Sequence, residues 1–123
     1  MPRLLLEEAK IHSSIRQVIG DNHRDIVEEV IKATEKNDVV VVGMGQNPYC
    51  KKARQALNRK GIAHQYLEYG NYLTSWRRRN ALKMWTGWPT FPMVFIKGIL
   101  IGGTSDLVEL DRKGELDRMI AST

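Results

Sequence analysis

Apolar residues recur three, four and seven apart through Leu4, Ile11, Ile15, Val18 and Ile19, with Glu, Lys and Arg between them. This predicts an amphipathic helix that Gly20 ends. Its apolar stripe is expected to dock on the protein's own sheet. A second helical period runs through Ile26, Val27, Val30 and Ile31, with Asp21-Asn22 as its predicted cap. The pattern then changes. Val39-Val40-Val41-Val42 is a β-branched run without polar alternation, which predicts a strand covered on both faces, as in a central α/β sheet.

After Gly43-Met44-Gly45-Gln46, Asn47 is a preferred N-cap and Pro48 is favoured at a first helical position, so a helix is predicted to start there and end at Gly61. A strand is predicted over Ile62 to Glu68, then a helix from Thr74 to Trp85 carrying Arg77, Arg78, Arg79 and Lys83. Beyond the Gly87-Trp88-Pro89 break, Met93 to Ile96 and Ile99 to Ile101 form a hairpin through Lys97-Gly98. Gly102-Gly103-Thr104-Ser105-Asp106 reads as a turn into a last helix from about Leu107. The order is helix, helix, β, α, β, α, β, β, α. With no repeat or linker inside it, this predicts one domain over residues 23–123 preceded by a helical extension at 1–22.

Composition narrows the classes. The 123 residues are 42% hydrophobic and 27% charged, an ordinary globular balance, and the net charge of +5 favours anionic ligands without naming nucleic acid. Arg77-Arg78-Arg79 is expected to be a solvated face, so no nucleic-acid partner is expected. Cys50 is the one cysteine, which excludes an intrachain disulfide, a CxxC couple and a cysteine-based zinc site, and suits a reducing compartment. The longest apolar run is too short to span a bilayer, and Glu7-Glu8 interrupt the leading Leu run, so the expectation is a cytoplasmic protein with no membrane partner. His12, His23 and His64 lie in different elements and are expected to be surface or packing residues, and no metal is expected. Trp76, Trp85 and Trp88 are expected to be core anchors, with Trp88 beneath the loop that follows it.

A glycine-containing loop between a buried strand and a helix start places free N–H groups at a loop mouth, a site for an anion or a thiolate. Gly43-Met44-Gly45 lacks the third glycine of a dinucleotide fingerprint and the Gly-Lys-Ser/Thr of a P-loop, so nucleotide binding is not expected.

Four segments, Val39 to Val42, Asn47-Pro48-Tyr49-Cys50-Lys51-Lys52-Ala53, Trp88-Pro89-Thr90-Phe91-Pro92 and Gly102-Gly103-Thr104-Ser105-Asp106-Leu107, together resemble the glutaredoxin family over roughly residues 24–121. Trp88 to Pro92, with Arg79 nine residues before the Trp, resembles its monothiol branch. Pro48 to Ala53 resembles the dithiol branch. The resemblance implies a thioredoxin-like, three-layer α/β/α fold with a mixed four-stranded sheet and a groove that holds glutathione as co-substrate or ligand. Thr90, Phe91 and Pro92, the last in cis, would pair with the tripeptide backbone. Gly103, Thr104, Ser105 and Asp106 would hold its γ-glutamyl end, Arg79 and Lys83 its glycine carboxylate, and Tyr49 would lie beside its sulfur.

The chain departs from the family where the chemistry sits. The resemblance gives the nucleophilic cysteine the place held here by Asn47, which would line the groove but cannot attack a disulfide. Cys50 takes the place of the resolving cysteine, and Met44 that of a lysine common before the site. The missing cysteine is also the one through which the monothiol branch ligates an iron–sulfur cluster. Two functions follow as expectations. One is thiol-disulfide exchange or deglutathionylation through Cys50 on a glutathionylated or disulfide-containing protein. The other is a glutathione-binding module for redox sensing or partner binding.

Overall fold

A computed structural model describes residues 2–121. Four strands, β1 (Val39–Gly43), β2 (Gln65–Glu68), β3 (Met93–Ile96) and β4 (Ile99–Gly102), form one sheet in the order β2-β1-β3-β4. The β1–β2 pair is parallel, while β1–β3 and β3–β4 are antiparallel, so the sheet is mixed. Alternation along β1 divides the core. Val40 and Val42 join Ile26 and Val30 of α2 (Arg24–Lys36) and Leu82 of α4 (Trp76–Thr86). Val39 and Val41 join Ala53 and Leu57 of α3 (Pro48–Arg59), Leu107 of α5 (Thr104–Arg112) and Leu116 of α6 (Glu115–Ala121). All of β1 is buried, as a run without polar alternation predicts. The result is the three-layer α/β/α thioredoxin-like fold.

Local chemistry sets the boundaries. The Asn47 side chain accepts from the Tyr49 and Cys50 N–H groups and Pro48 occupies the first turn, as predicted for α3. At its other end Gly61 takes a φ of 68°, letting Ile62 N–H reach the Leu57 carbonyl at 3.0 Å. That closure uses Ile62, so β2 starts at Gln65 rather than Ile62. The predicted turn at Thr104-Ser105-Asp106 is instead the first turn of α5, closed by Asp106 Oδ2 accepting from Gly103 N–H at 2.9 Å. Gly114, with φ 75°, then separates α5 from an unpredicted α6.

The N-terminal segment departs furthest from expectation. Its predicted single helix is a 3-10 turn at Glu8–Lys10 followed by α1 (Ser13–Asp21), because His12 is extended and its Nδ1 accepts from Ser14 N–H. Gly20 lies inside α1, and α2 starts at Arg24 after a left-handed His23 instead of an Asp21-Asn22 cap. No side chain of α1 is buried, so its apolar stripe does not dock on the sheet. Val18 and Ile19 instead line a cleft with Val27 and Ile31 of α2 and Met84 and Trp85 of α4. No helix among the described residues is long and apolar enough to cross a membrane.

Candidate functional site

The N-termini of α3 and α5 and the loop before β3 meet along a groove of ≈ 430 Å³. The hydroxyl of Thr104 donates to the Tyr49 carbonyl at 2.6 Å and so ties α5 to α3. Thr90 and Phe91 supply a second wall beside the cis Phe91–Pro92 bond, the isomer expected of Pro92. The structure brings Tyr49, Thr90, Phe91, Gly103, Thr104, Ser105 and Asp106 to one lining, joined by Lys52 and Trp88. Trp88 Nε1 is buried with no acceptor among the described residues.

The two helix starts differ. Asn47 Oδ1 accepts from Tyr49 N–H at 2.8 Å and Cys50 N–H at 3.1 Å, so the chain itself satisfies the positive end of α3. At α5 the N-cap is Gly103, which has no side chain to offer; the Asp106 carboxylate accepts from the Gly103 N–H and the Thr104 hydroxyl is turned to Tyr49. Of the two starts, α5 therefore keeps its Thr104 and Ser105 N–H groups without a side-chain acceptor, beside the Asp106 carboxylate.

Cys50 lies behind Asn47 and is 1% exposed. Burial pushes its thiol pKa up. The Met44 N–H pulls it back in part, the Glu68 carboxylate adds to the rise, and the Cys50 N–H again opposes it. A Cβ added to Gly43 would stand 2.7 Å from Cys50 Sγ and 3.1 Å from the Tyr66 ring, so glycine here makes room for the thiol. Tyr66 donates to Glu68 Oε1 at 3.0 Å, and the Arg54 guanidinium lies 4.0 Å from its ring centroid. Asn47 faces the cleft that these residues line, of ≈ 460 Å³, beside the groove. Tyr66 and Glu68 lie in no motif. The strand period that puts Tyr66 and Glu68 on one face of β2 was the available signal.

Arg79 and Lys83 part company in the fold. Arg79 is buried, and its Nη1 donates to the Tyr69 and Thr74 carbonyls at 3.0 and 2.6 Å, which holds the β2–α4 loop on the helix. Burial lowers its pKa. Lys83 stays near the groove, with Nζ 5.7 Å from the Phe91 ring centroid. Tyr49 is exposed, with Lys52 Nζ 5.5 Å from its ring centroid. Trp76 is exposed under the Arg77 guanidinium instead of anchoring the core, and Trp85 stacks on Phe95 at the edge of the α1 cleft.

Known proteins are similar to this chain in sequence and in fold. The glutaredoxin family model matches residues 39–101, from β1 into β4. A glutaredoxin-like protein of Dictyostelium discoideum is 42% identical over 103 residues, 84% of each chain. The mitochondrial monothiol glutaredoxin-S15 of Arabidopsis thaliana is 32% identical over 105 residues, 81% of this chain and 59% of that one. Among solved structures, a buckwheat glutaredoxin–glutathione complex superposes with a TM-score of 0.70 at 25% identity, covering 81% of this chain and 91% of that one. A family match running from the first strand into the last, and a relative this close over most of both chains, agree with the sheet order and the cis-proline groove: the chain belongs to the glutaredoxin family, whose chemistry is thiol redox.

Proposed function

We propose that this protein serves thiol redox chemistry as a glutathione-recognition module, holding glutathione or a glutathionylated peptide in the groove without attack by Cys50. The observation that carries this reading is the contrast between the two helix starts. The α3 N-terminus, where the family resemblance puts the nucleophile, is capped by Asn47, and the thiol behind it is buried and pushed up in pKa. The α5 N-terminus has no N-cap side chain, and its Thr104 and Ser105 N–H groups have no side-chain acceptor.

Glutathione suits the groove by charge and shape, and the buckwheat relative crystallised with glutathione supports that choice. The γ-glutamyl carboxylate fits the first turn of α5, where Ser105 carries the uncommitted hydroxyl. The peptide units run beside Thr90 and Phe91. The glycine carboxylate falls toward Lys83, with Arg79 setting the neighbouring loop instead of touching the ligand. The sulfur lies against the Tyr49 ring.

Calorimetric titration with S-methylglutathione tests this reading. Wild type and Cys50→Ser should bind alike. Ser105→Glu places a carboxylate at the same helix start and should weaken binding about tenfold or more, while α5 stays folded. Loss of binding in Cys50→Ser, or no effect of Ser105→Glu, would overturn it. A second reading rests on the Met44 and Cys50 N–H groups, which favour a thiolate at Cys50. It makes Cys50 exchange with a glutathionylated protein after local opening, and it requires turnover that Cys50→Ser abolishes.

A further inference from the structure

Beside α1, α2 and α4 the chain carries an apolar projection and an apolar recess, and fills neither with the other. The recess is the ≈ 550 Å³ cleft between α1, α2 and α4, walled by Val18, Ile19, Val27, Ile31, Met84 and Trp85. The projection is Leu4, Leu5 and Leu6, which are 99, 69 and 68% exposed. Arg3 fixes its position, with Nη1 donating to the Thr86 carbonyl at 2.7 Å at the end of α4. The segment thus starts beside the cleft wall but leaves its own leucines in solvent.

We propose that this face is a homodimer interface, in which Leu4, Leu5 and Leu6 of each copy enter the α1–α2–α4 cleft of the other. A projection and a matching recess on one surface are what a two-fold contact requires, because each copy then offers and receives the same contact. The area suffices. The three leucines with Val18, Ile19 and Met84, themselves 53–68% exposed, present apolar surface of the order of the ~800 Å² per partner buried in a stable interface.

Sedimentation velocity of the full chain tests the interface. Wild type should be a dimer at about 100 μM, a concentration that populates any dimer of micromolar or tighter affinity. Leu5→Glu in the projection and Val18→Glu in the cleft should each give monomer with unchanged circular dichroism, both positions being exposed in the single chain. Ile99→Glu, at an exposed apolar residue of β4, should remain a dimer. A monomeric wild type, a dimer that survives either Leu5→Glu or Val18→Glu, or a monomeric Ile99→Glu would overturn the proposal.

Discussion

Cys50 and Gly43 are packed as a pair, and each limits what can stand at the other. Because a Cβ at Gly43 would lie 2.7 Å from Cys50 Sγ, Gly43→Ala should cost about 1–3 kcal/mol, the usual range for overpacking a core. Adding Cys50→Ala should recover part of that loss, so urea denaturation of the two single variants and the double should be non-additive. Additive losses would show that the thiol is not the obstructing group. The same burial gives Cys50 a pH signature. Its folded pKa lies above the unfolded value of about 8.5, so its contribution to stability is fully present below that pH. As pH rises further, the unfolded chain ionises first and stability falls until the folded thiol ionises too. Tyr66 and Tyr69, also raised by burial, join only above their ordinary range near pH 10. Stability measured between about pH 8 and 10 should therefore decline in wild type and flatten in Cys50→Ser; equal slopes would contradict the buried thiol.

Among the elements, α4 shows where sequence spacing stops being informative. Arg79 and Lys83 are one turn apart, which predicts a shared face. What spacing cannot show is that the Tyr69–Thr74 stretch folds back over Arg79 and takes its guanidinium as a donor. Arg79→Ala strips a buried donor from two carbonyls and should cost about 1–3 kcal/mol in urea unfolding, with S-methylglutathione affinity falling less than in Ser105→Glu. A variant with full stability and no binding would return Arg79 to the ligand. Local chemistry made other elements legible. The valine run placed β1 at the sheet centre, Asn47-Pro48 placed the start of α3, and Lys97-Gly98 placed the hairpin. The start of α5 was hidden because Thr-Ser-Asp suits both a turn and a first helical turn, and Asp106 decides between them by accepting from Gly103. The start of α1 is not legible because the apolar period runs unbroken across Ile11-His12, whereas the His12 cap begins α1 afresh.

At the scale of the whole molecule, the groove and the α1–α2–α4 cleft are separate surfaces. The ends of α3 and α5 converge on the groove, and the groove lining was legible because its residues fall in three motifs that the fold brings together. The environment of Cys50 was not legible: Asn47 reads as a lost nucleophile, but the packing of Tyr66, Glu68 and Gly43 around the thiol depends on the β1–β2 register, which pairs Val41 with Tyr66 and Gly43 with Glu68. The proposed function sets a groove for glutathione beside a helix start that carries Asn47 in place of a nucleophile. Turnover of a glutathionylated peptide with excess glutathione, by wild type beside Asn47→Cys, tests that most directly. A cysteine at that cap would face the cleft beside the groove and be stabilised as a thiolate by the N–H groups Asn47 now occupies. The prediction is background rate for wild type and a rate well above it for Asn47→Cys. Wild-type turnover that disappears in Cys50→Ser, or a folded Asn47→Cys chain that stays at background, would contradict it.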